Sequence, residues 1–367
     1  MKISRITLYR YDIPLKAPVI ISLGTIEHAR NMLVQIETDE GLEGWGEGSP
    51  FWMITGETQA SGLAAAQDMA RLLLGRSPTN IGGCVEAIVR YLPAHPTTRS
   101  AFDMALHDLA AKIANLPLYA YLGGGNRQLI TDETIYLDTP ERMAEVALIV
   151  QAKQPEAIKL KLGTDCQTDI ARVRAVRQAI GDEIPIRTDA NQGWDVPTAT
   201  AVLRAIGNWN VQYCEQPVRR TDIAGLRHLR QLSPVPIMAD ESLFDASDAI
   251  RLVREDAVDY FNIKLSKSGG IWEALKINAI AEAAHIRCMI GCMSESRLGL
   301  TANAHFAAAR PNVTFCDLDG CFEHAIDPVV GGLTYHPYRI ELPDVSGIGA
   351  TVDPAFLARC ERIVIQQ

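Results

Sequence analysis

The sequence predicts an α/β protein in which a closed parallel barrel follows a smaller α+β unit, and three observations carry that prediction. From about residue 130 onward, short apolar runs alternate with helix-length stretches, the rhythm of parallel strands joined by crossover helices. Eight such runs occur, at 134–137, 157–162, 184–188, 211–214, 235–239, 260–265, 287–291 and 313–318. The polar residues closing runs two to six are Lys161, Asp189, Glu215, Asp240 and Lys264, spaced 28, 26, 25 and 24 apart. Each step holds one strand, one helix and two short loops, and eight such units in a row form a barrel. The chain of 367 residues accommodates a barrel of about 250 residues with one further small domain.

The elements before the barrel follow from local pattern. Ile3 to Ile13 alternates like a strand, and Asn31 to Gly46 reads as a hairpin turning at Asp39-Glu40-Gly41, with Met32, Val34 and Ile36 on one face. Helical periodicity covers about 58–75, 79–92 and 98–115. The run Gly123-Gly124-Gly125 separates the halves. Residues 1–125 are therefore expected to form the α+β unit and 126–334 the barrel, with 335–367 returning to the first unit.

Composition narrows the function. Hydrophobic residues make up 47% and charged residues 22%, enough for a large core. A net charge of -9 and a pI near 5.4, with no basic tract, argue against nucleic acid or anionic membrane as a partner. No apolar run approaches 18 residues, and the alternating start Met1 to Ile6 lacks the apolar core of a signal peptide. The eight cysteines include no C-x-x-C pair and read as reduced thiols of a cytoplasmic protein. A small-molecule ligand and a homo-oligomer are the expected partners.

In a barrel, residues at the C-terminal strand ends share one mouth, where active sites are built. Asp189, Glu215 and Asp240 end three adjacent strands. Any one of them reads as a helix cap, but three in register repel unless a cation sits among them. All-oxygen ligation suits a hard divalent ion, most simply Mg2+. Lys161 and Lys264 end strands two and six and so face each other across the mouth. Either alone reads as a partner for a metal-site carboxylate, whereas two on opposite walls suit a pair of general acid/base groups. Lys159 lies on the same face as Lys161, and its like charge favours the neutral, basic form of Lys161. Asp317 and Asp319, at strand eight, lie opposite the metal, where they suit a substrate cation or a hydrogen-bonded turn.

These residues resemble the enolase superfamily, in the branch of muconate-lactonising enzymes and dipeptide epimerases. The most specific segments are Lys159-Leu160-Lys161, Asp189-Ala190-Asn191, Glu215-Gln216-Pro217, Asp240-Glu241-Ser242 and the stretch Asn262 to Gly270, and the likeness runs from Gly44-Trp45-Gly46-Glu47 to Gly332. The resemblance implies an α+β capping domain over a (β/α)7β TIM-like barrel. It also implies Asp189, Glu215 and Asp240 on Mg2+, with Lys161 and Lys264 as the two bases. Asp317-x-Asp319 looks like the motif with which dipeptide epimerases, such as those acting on Ala-Glu, hold a substrate ammonium, and Gly291 to Gly299 is similar to theirs too. The expected substrate-lining residues are Lys159, Thr134, Glu295, Asp317 and Asp319. Lys267 is expected to be a supporting or solvated charge and Asn191 a hydrogen-bond donor behind the metal ligands.

A carboxylate on the metal and an ammonium at the far wall favour a dipeptide, because one amino acid spans about 3.6 Å at most. The expected reaction is epimerisation at the α-carbon of the C-terminal residue. Segments of about 16–30 and 49–57 are expected to close over the site as loops. The second is strongly apolar, which also suits plain interdomain packing. Leu23-Gly24-Thr25 offers no basic residue to clamp a Glu side chain, which favours small or apolar side chains. The rivals are a muconate-type cycloisomerase, an N-acyl amino acid racemase and a non-catalytic barrel protein.

Overall fold

The computed structural model describes residues 1–366. The chain opens with an antiparallel sheet of β1 (Ile3–Ile21), β2 (Gly24–Thr38) and β3 (Glu43–Gly48). The C-terminal strand Arg362–Gln366 pairs with the outer edge of β1. Ile6, Leu8, Met32, Val34 and Ile36 are fully buried on one face. They form a core with the helices Gln59–Leu73, Ile81–Tyr91 and Pro96–Ile113. Helix Pro96–Ile113 lies directly on β3, where a Cβ at Gly46 would come within 1.9 Å of Ala101 O and one at Gly44 within 2.3 Å of Ala105 O. Glycine at these two positions is what lets helix and strand backbones touch.

The barrel follows as β4 (Glu133–Ile135), β5 (Ile158–Lys161), β6 (Ile186–Asp189), β7 (Val211–Glu215), β8 (Ile237–Ala239), β9 (Tyr260–Ile263), β10 (Arg287–Gly291) and β11 (Val313–Asp317). Their order in the sheet is their order in the chain, each neighbour parallel. A parallel bridge from Thr131 to Cys316 and a 2.8 Å bond from Leu318 N–H to Thr131 Oγ1 join last strand to first. The eight apolar runs are these strands. Tyr213, Met238 and Met289 fill the interior below the mouth with Tyr260 and Phe315. Arg187 stacks there 5.1 Å from the Phe315 ring centre and bonds to Asp132. The eight cysteines are free, and no helix of the described residues is long and apolar enough to cross a membrane.

One expectation about the sheet fails in an informative way. The segment 16–30 is not a loop: β1 and β2 continue past their pairing at Pro14 and His28 and resume at Val19 and Ile26, with the register shift between. Lys16 and Pro18 interrupt the alternation in the sequence, and the far end lies beyond the three helices that back the rest of the sheet. Its inner face rests on the barrel mouth, through Leu137 N–H to Ile20 O (3.0 Å) and Ala325 N–H to Pro14 O (2.8 Å). Segment 49–57 contains a short helix, Trp52–Thr55, whose Ile54 packs with Phe51, Val19, Ile21 and Ile26.

Candidate active site

The barrel helices begin at N-caps Asp165, Asp195, Asp222 and Asp245, whose side chains accept from backbone N–H groups of the first turn. These caps lie beyond the strand ends, so Asp189, Glu215 and Asp240 are not used as caps. All three are fully buried at the mouth. Asp189 pairs in register with Lys161 on one side and Glu215 on the other. Lys161 Nζ donates to Asp189 Oδ2 at 2.6 Å, and Lys264 Nζ to Asp240 Oδ2 at 2.8 Å. Lys267 is fully buried and gives Asp240 a second bond of 2.6 Å, so it is a supporting charge and not a solvated one. Asn191 N–H donates to Asp189 Oδ1 at 2.9 Å, and its Nδ2 to Glu241 Oε1 at 3.2 Å.

The backbone after two of the carboxylates is held in the left-handed region, at Asn191 (φ 40°), Gln192 (φ 67°) and Gln216 (φ 35°). Such residues cost about 1–3 kcal/mol each and persist only where the surroundings impose them. Gln216 shows how: its Oε1 accepts from the N–H groups of Asp240 and Ser242 at 3.0 Å each, tying the end of β7 to that of β8. Nothing in the spacing of strand ends signals that duty.

Burial and neighbouring charge divide the carboxylates. Burial opposes ionisation of Asp240, but Lys264 and Lys267 outweigh it and hold the group below its ordinary range. Glu215 is pushed up to about 7, by burial first and then by Asp189. Glu241, which the sequence reading passed over, is pushed up to about 8 by burial and by Asp240. Lys264 is disfavoured as a cation by burial, yet Asp240 and Glu215 hold it above the usual lysine value.

The opposite wall carries Asp317 and Asp319. Cys292 joins them there: its Sγ and one oxygen from each lie within 4.8 Å of one another. Asp319 Oδ2 accepts from Thr134 N–H at 2.6 Å. Burial opposes ionisation of Asp317, but Lys159 draws it down to about 2, whereas burial and Asp317 itself push Asp319 well up.

Two residues expected to line the substrate, Lys159 and Glu295, are not among those lining the cavity. Lys159 is fully buried beneath the site, 2.6 Å from Asp317, 2.7 Å from Glu215 and 3.4 Å from Asp189. Its charge is compensated by those three carboxylates, and it joins the two ends of the site from below without reaching the cavity. Glu295 also faces away, accepting from Ser266 Oγ at 2.7 Å and Met293 N–H at 2.6 Å. A side chain placed by sequence similarity can point to either face of its loop, and here the buried donors fix it.

A single cavity connects both walls, with about 650 Å3 of empty space including its open mouth. Lys161, Lys264, Asn191, Thr134, Asp317 and Asp319 form its polar side. Val19, Ile21, Ile26, Phe51 and Ile54 form an apolar roof, and Tyr136, Cys292, Met293 and Glu323 complete the wall.

Residues 5–123 match the family model of the mandelate racemase / muconate lactonizing enzyme N-terminal domain, and residues 141–356 that of the enolase C-terminal domain-like family. The chain belongs to the mandelate racemase / muconate lactonizing enzyme family of the enolase superfamily. This member of the family is similar to the hydrophobic dipeptide epimerase of Enterococcus faecalis, 44% identical over 95% of this chain and 99% of that one. It is also similar to the D-Ala-D/L-Ala epimerase of Cytophaga hutchinsonii, 41% identical over all of both chains. The crystal structure of the dipeptide epimerase from Cytophaga hutchinsonii, complexed with Mg and D-Ala-L-Val, matches all of both chains with a TM-score of 0.98. The N-succinyl Arg/Lys racemase of Bacillus cereus, 32% identical over the full length of both, follows at 0.97. Overall likeness therefore does not choose between substrates within the superfamily, and the cavity has to.

The donor set of this enolase-superfamily member fits a hard divalent cation. Around Asp189, Glu215 and Asp240, four buried oxygens accept no hydrogen bond among the described residues: Glu215 Oε2, Glu241 Oε2, Asn191 Oδ1 and Asn262 Oδ1. Glu215 Oε2 has only its ion pair with Lys159, without hydrogen-bond geometry. A surplus of oxygen acceptors with no soft ligand among them is what Mg2+ prefers. Asn262, which holds Glu215 Oε1 at 2.6 Å, and Glu241 could have been found in the sequence, since Glu241 follows Asp240 directly and Asn262 stands two residues before Lys264, on the same face of its strand.

Proposed function

We propose that this protein is a Mg2+-dependent dipeptide epimerase, an isomerase that inverts the α-carbon of the C-terminal residue of a dipeptide. The observation that carries it is one cavity holding Lys161 and Lys264 beside three metal-type carboxylates, with Asp317 and Asp319 across from them. Asp189, Glu215 and Asp240 would hold the ion. When bound, it supplies charge stabilisation to a substrate carboxylate, which makes the adjacent α-proton more acidic.

The chain's own groups do the rest. Asp317 and Asp319 bind the α-ammonium and fix the direction of the dipeptide, charge-assisted bonds being worth about 1.5–3 kcal/mol each. Lys161 and Lys264 stand on separate strands, so one takes the α-proton while the other delivers a proton from the opposite face. Exchanging their protonation states runs the reaction backwards. The roof of Val19, Ile21, Ile26, Phe51 and Ile54 excludes water and favours an apolar side chain on the residue being inverted. An N-succinyl or other N-acyl substrate would bring no cation to Asp317 and Asp319, which favours the free dipeptide over the racemase reaction of the Bacillus cereus relative.

Incubating a dipeptide library with enzyme and Mg2+ in D2O tests this by mass spectrometry. Uptake of one deuteron by free dipeptides, and not by their N-acetyl forms, is the expected result. Equal uptake by N-acetyl forms would replace the dipeptide reading with an N-acyl amino acid racemase, and no uptake would remove the epimerase.

A further inference from the structure

One carboxylate in the cavity has no part in the chemistry above. Glu323 ends the short 3-10 turn Gly320–Glu323 that follows Asp319 and lines the cavity. It is half-buried. Among the described residues it makes no hydrogen bond and no ion pair: Lys16, the cation on the ribbon above, donates instead to Phe322 O, and Lys153 pairs with Glu133. Every other carboxylate on the cavity wall has a bonded partner, Lys159 for Asp317 and Thr134 N–H for Asp319.

The position of Glu323 follows from how a dipeptide must lie. With the α-ammonium at Asp317 and Asp319, the α-carbon of the N-terminal residue sits beside that pair. Glu323 lies four residues after Asp319 in the turn that follows it, and Leu15, which bridges to His324, lines the same cavity, so this wall adjoins the place of the N-terminal side chain. The C-terminal side chain, next to the lysines, meets the apolar roof. An apolar N-terminal side chain would cover Glu323 and desolvate it without a partner, which is unfavourable for an ionised carboxylate. A lysine or arginine in that place would supply the direct ion pair that Lys16 and Lys153 do not make.

We propose that Glu323 is a specificity-determining residue that selects dipeptides with a cationic N-terminal side chain, while the inverted C-terminal residue remains apolar. This rests on the dipeptide epimerase reading and adds to it a division of preference between the two residues. Lys16 donates to the carbonyl beside Glu323 and acts on the carboxylate through its charge, while no hydrogen bond or ion pair occupies the carboxylate among the described residues.

The test uses L-Lys-L-Leu and L-norleucyl-L-Leu, whose N-terminal side chains differ by the terminal ammonium, with deuterium uptake at leucine as the readout. Wild-type enzyme is expected to show a kcat/KM at least about tenfold higher for the lysyl dipeptide, the value of one charge-assisted bond. Glu323→Leu is expected to invert the ratio, with norleucyl-leucine turned over faster than by wild type. Glu323→Gln is expected to fall between them. Thermal unfolding like that of wild type shows that a variant has folded. A wild-type ratio near one, or a ratio that survives in a folded Glu323→Leu, overturns the role of Glu323 alone. Absence of exchange in both dipeptides with wild-type enzyme overturns the epimerase reading beneath it.

Discussion

The floor and the roof of the cavity are built on opposite principles. The floor is a set of buried charges at the ends of short parallel strands, its carboxylates held by lysines, backbone N–H groups and, at Glu215, the Asn262 amide, at 2.6–2.9 Å. The roof is a ribbon and a short helix that bring five buried apolar side chains over it. Among the described residues its tip is held to the barrel by a few polar contacts, among them Ser22 Oγ to the carbonyls of Ala190 and Asn191 at 3.0 Å each. Reaction chemistry therefore sits on the part that cannot move far, and side-chain preference on the part that can vary at little cost to the chemistry.

That contrast breaks if damage to the floor is mild. Chelation is expected to abolish deuterium exchange and Mg2+ to restore it. Asp240→Asn, which weakens the bonds to Lys264 and Lys267 as well, is expected to raise the Mg2+ requirement strongly in titrations of activity, and an unchanged requirement would remove Asp240 from the metal. Lys161→Ala and Lys264→Ala should each reduce epimerisation roughly 10²–10⁴-fold. Deuterium should then enter only one substrate epimer in each variant, and equal washing into both epimers would eliminate the two-base scheme. Asp317→Asn should lower kcat/KM for free dipeptides roughly ten- to a hundredfold, and so narrow the gap between free and N-acetyl dipeptides in a side-by-side assay.

Changes in the roof should be smaller and selective. Ile21→Ala is expected to lower kcat/KM for dipeptides ending in leucine by roughly tenfold and to spare those ending in alanine. A uniform loss on both would show that the ribbon serves the chemistry and not the side chain.

The smallest effect concerns the seam between the two parts. Glu47 on β3 is fully buried and accepts from Asn31 Nδ2, Ser296 N–H, Ser296 Oγ and Gly299 N–H, joining the N-terminal sheet to the barrel helix Arg297–Ala309. Burial nevertheless raises its pKa from 4.5 to about 7. Between those values the folded protein keeps a proton that the unfolded chain releases, so the contribution of this group to stability falls as pH rises from 4.5 to 7. Melting temperatures of wild type should therefore decline more steeply over that window than those of Glu47→Gln, and parallel slopes would contradict the assignment.

The sequence discloses the floor far better than the roof, for a physical reason. A buried strand must be apolar until it emerges, so the polar residue that closes it marks the mouth, and Lys161, Asp189, Glu215, Asp240 and Lys264 stand out by that interruption. The destination of Lys159 is hidden, because a lysine inside the barrel leaves no pattern that tells three carboxylates below the site from a substrate above it. The ribbon is obscured because Lys16 and Pro18 interrupt its alternation, and its contact surface is the barrel mouth, about 120 to 310 residues away in sequence. Glu323 is hidden for the opposite reason: one acid closing a short turn looks like a solvated residue until the cavity beside it is seen.

The pairing of Arg362–Gln366 with β1 bears on how the molecule is made. β1 is translated ahead of the barrel, but its outer edge is covered by a strand that leaves the ribosome after the whole barrel. Throughout synthesis that edge stays open, with unpaired backbone groups that another chain could join. Strand Arg362–Gln366 thus covers the β1 edge only after the barrel has been made. A chain cut short within the barrel would keep that edge exposed, with its unpaired backbone groups open to a second chain.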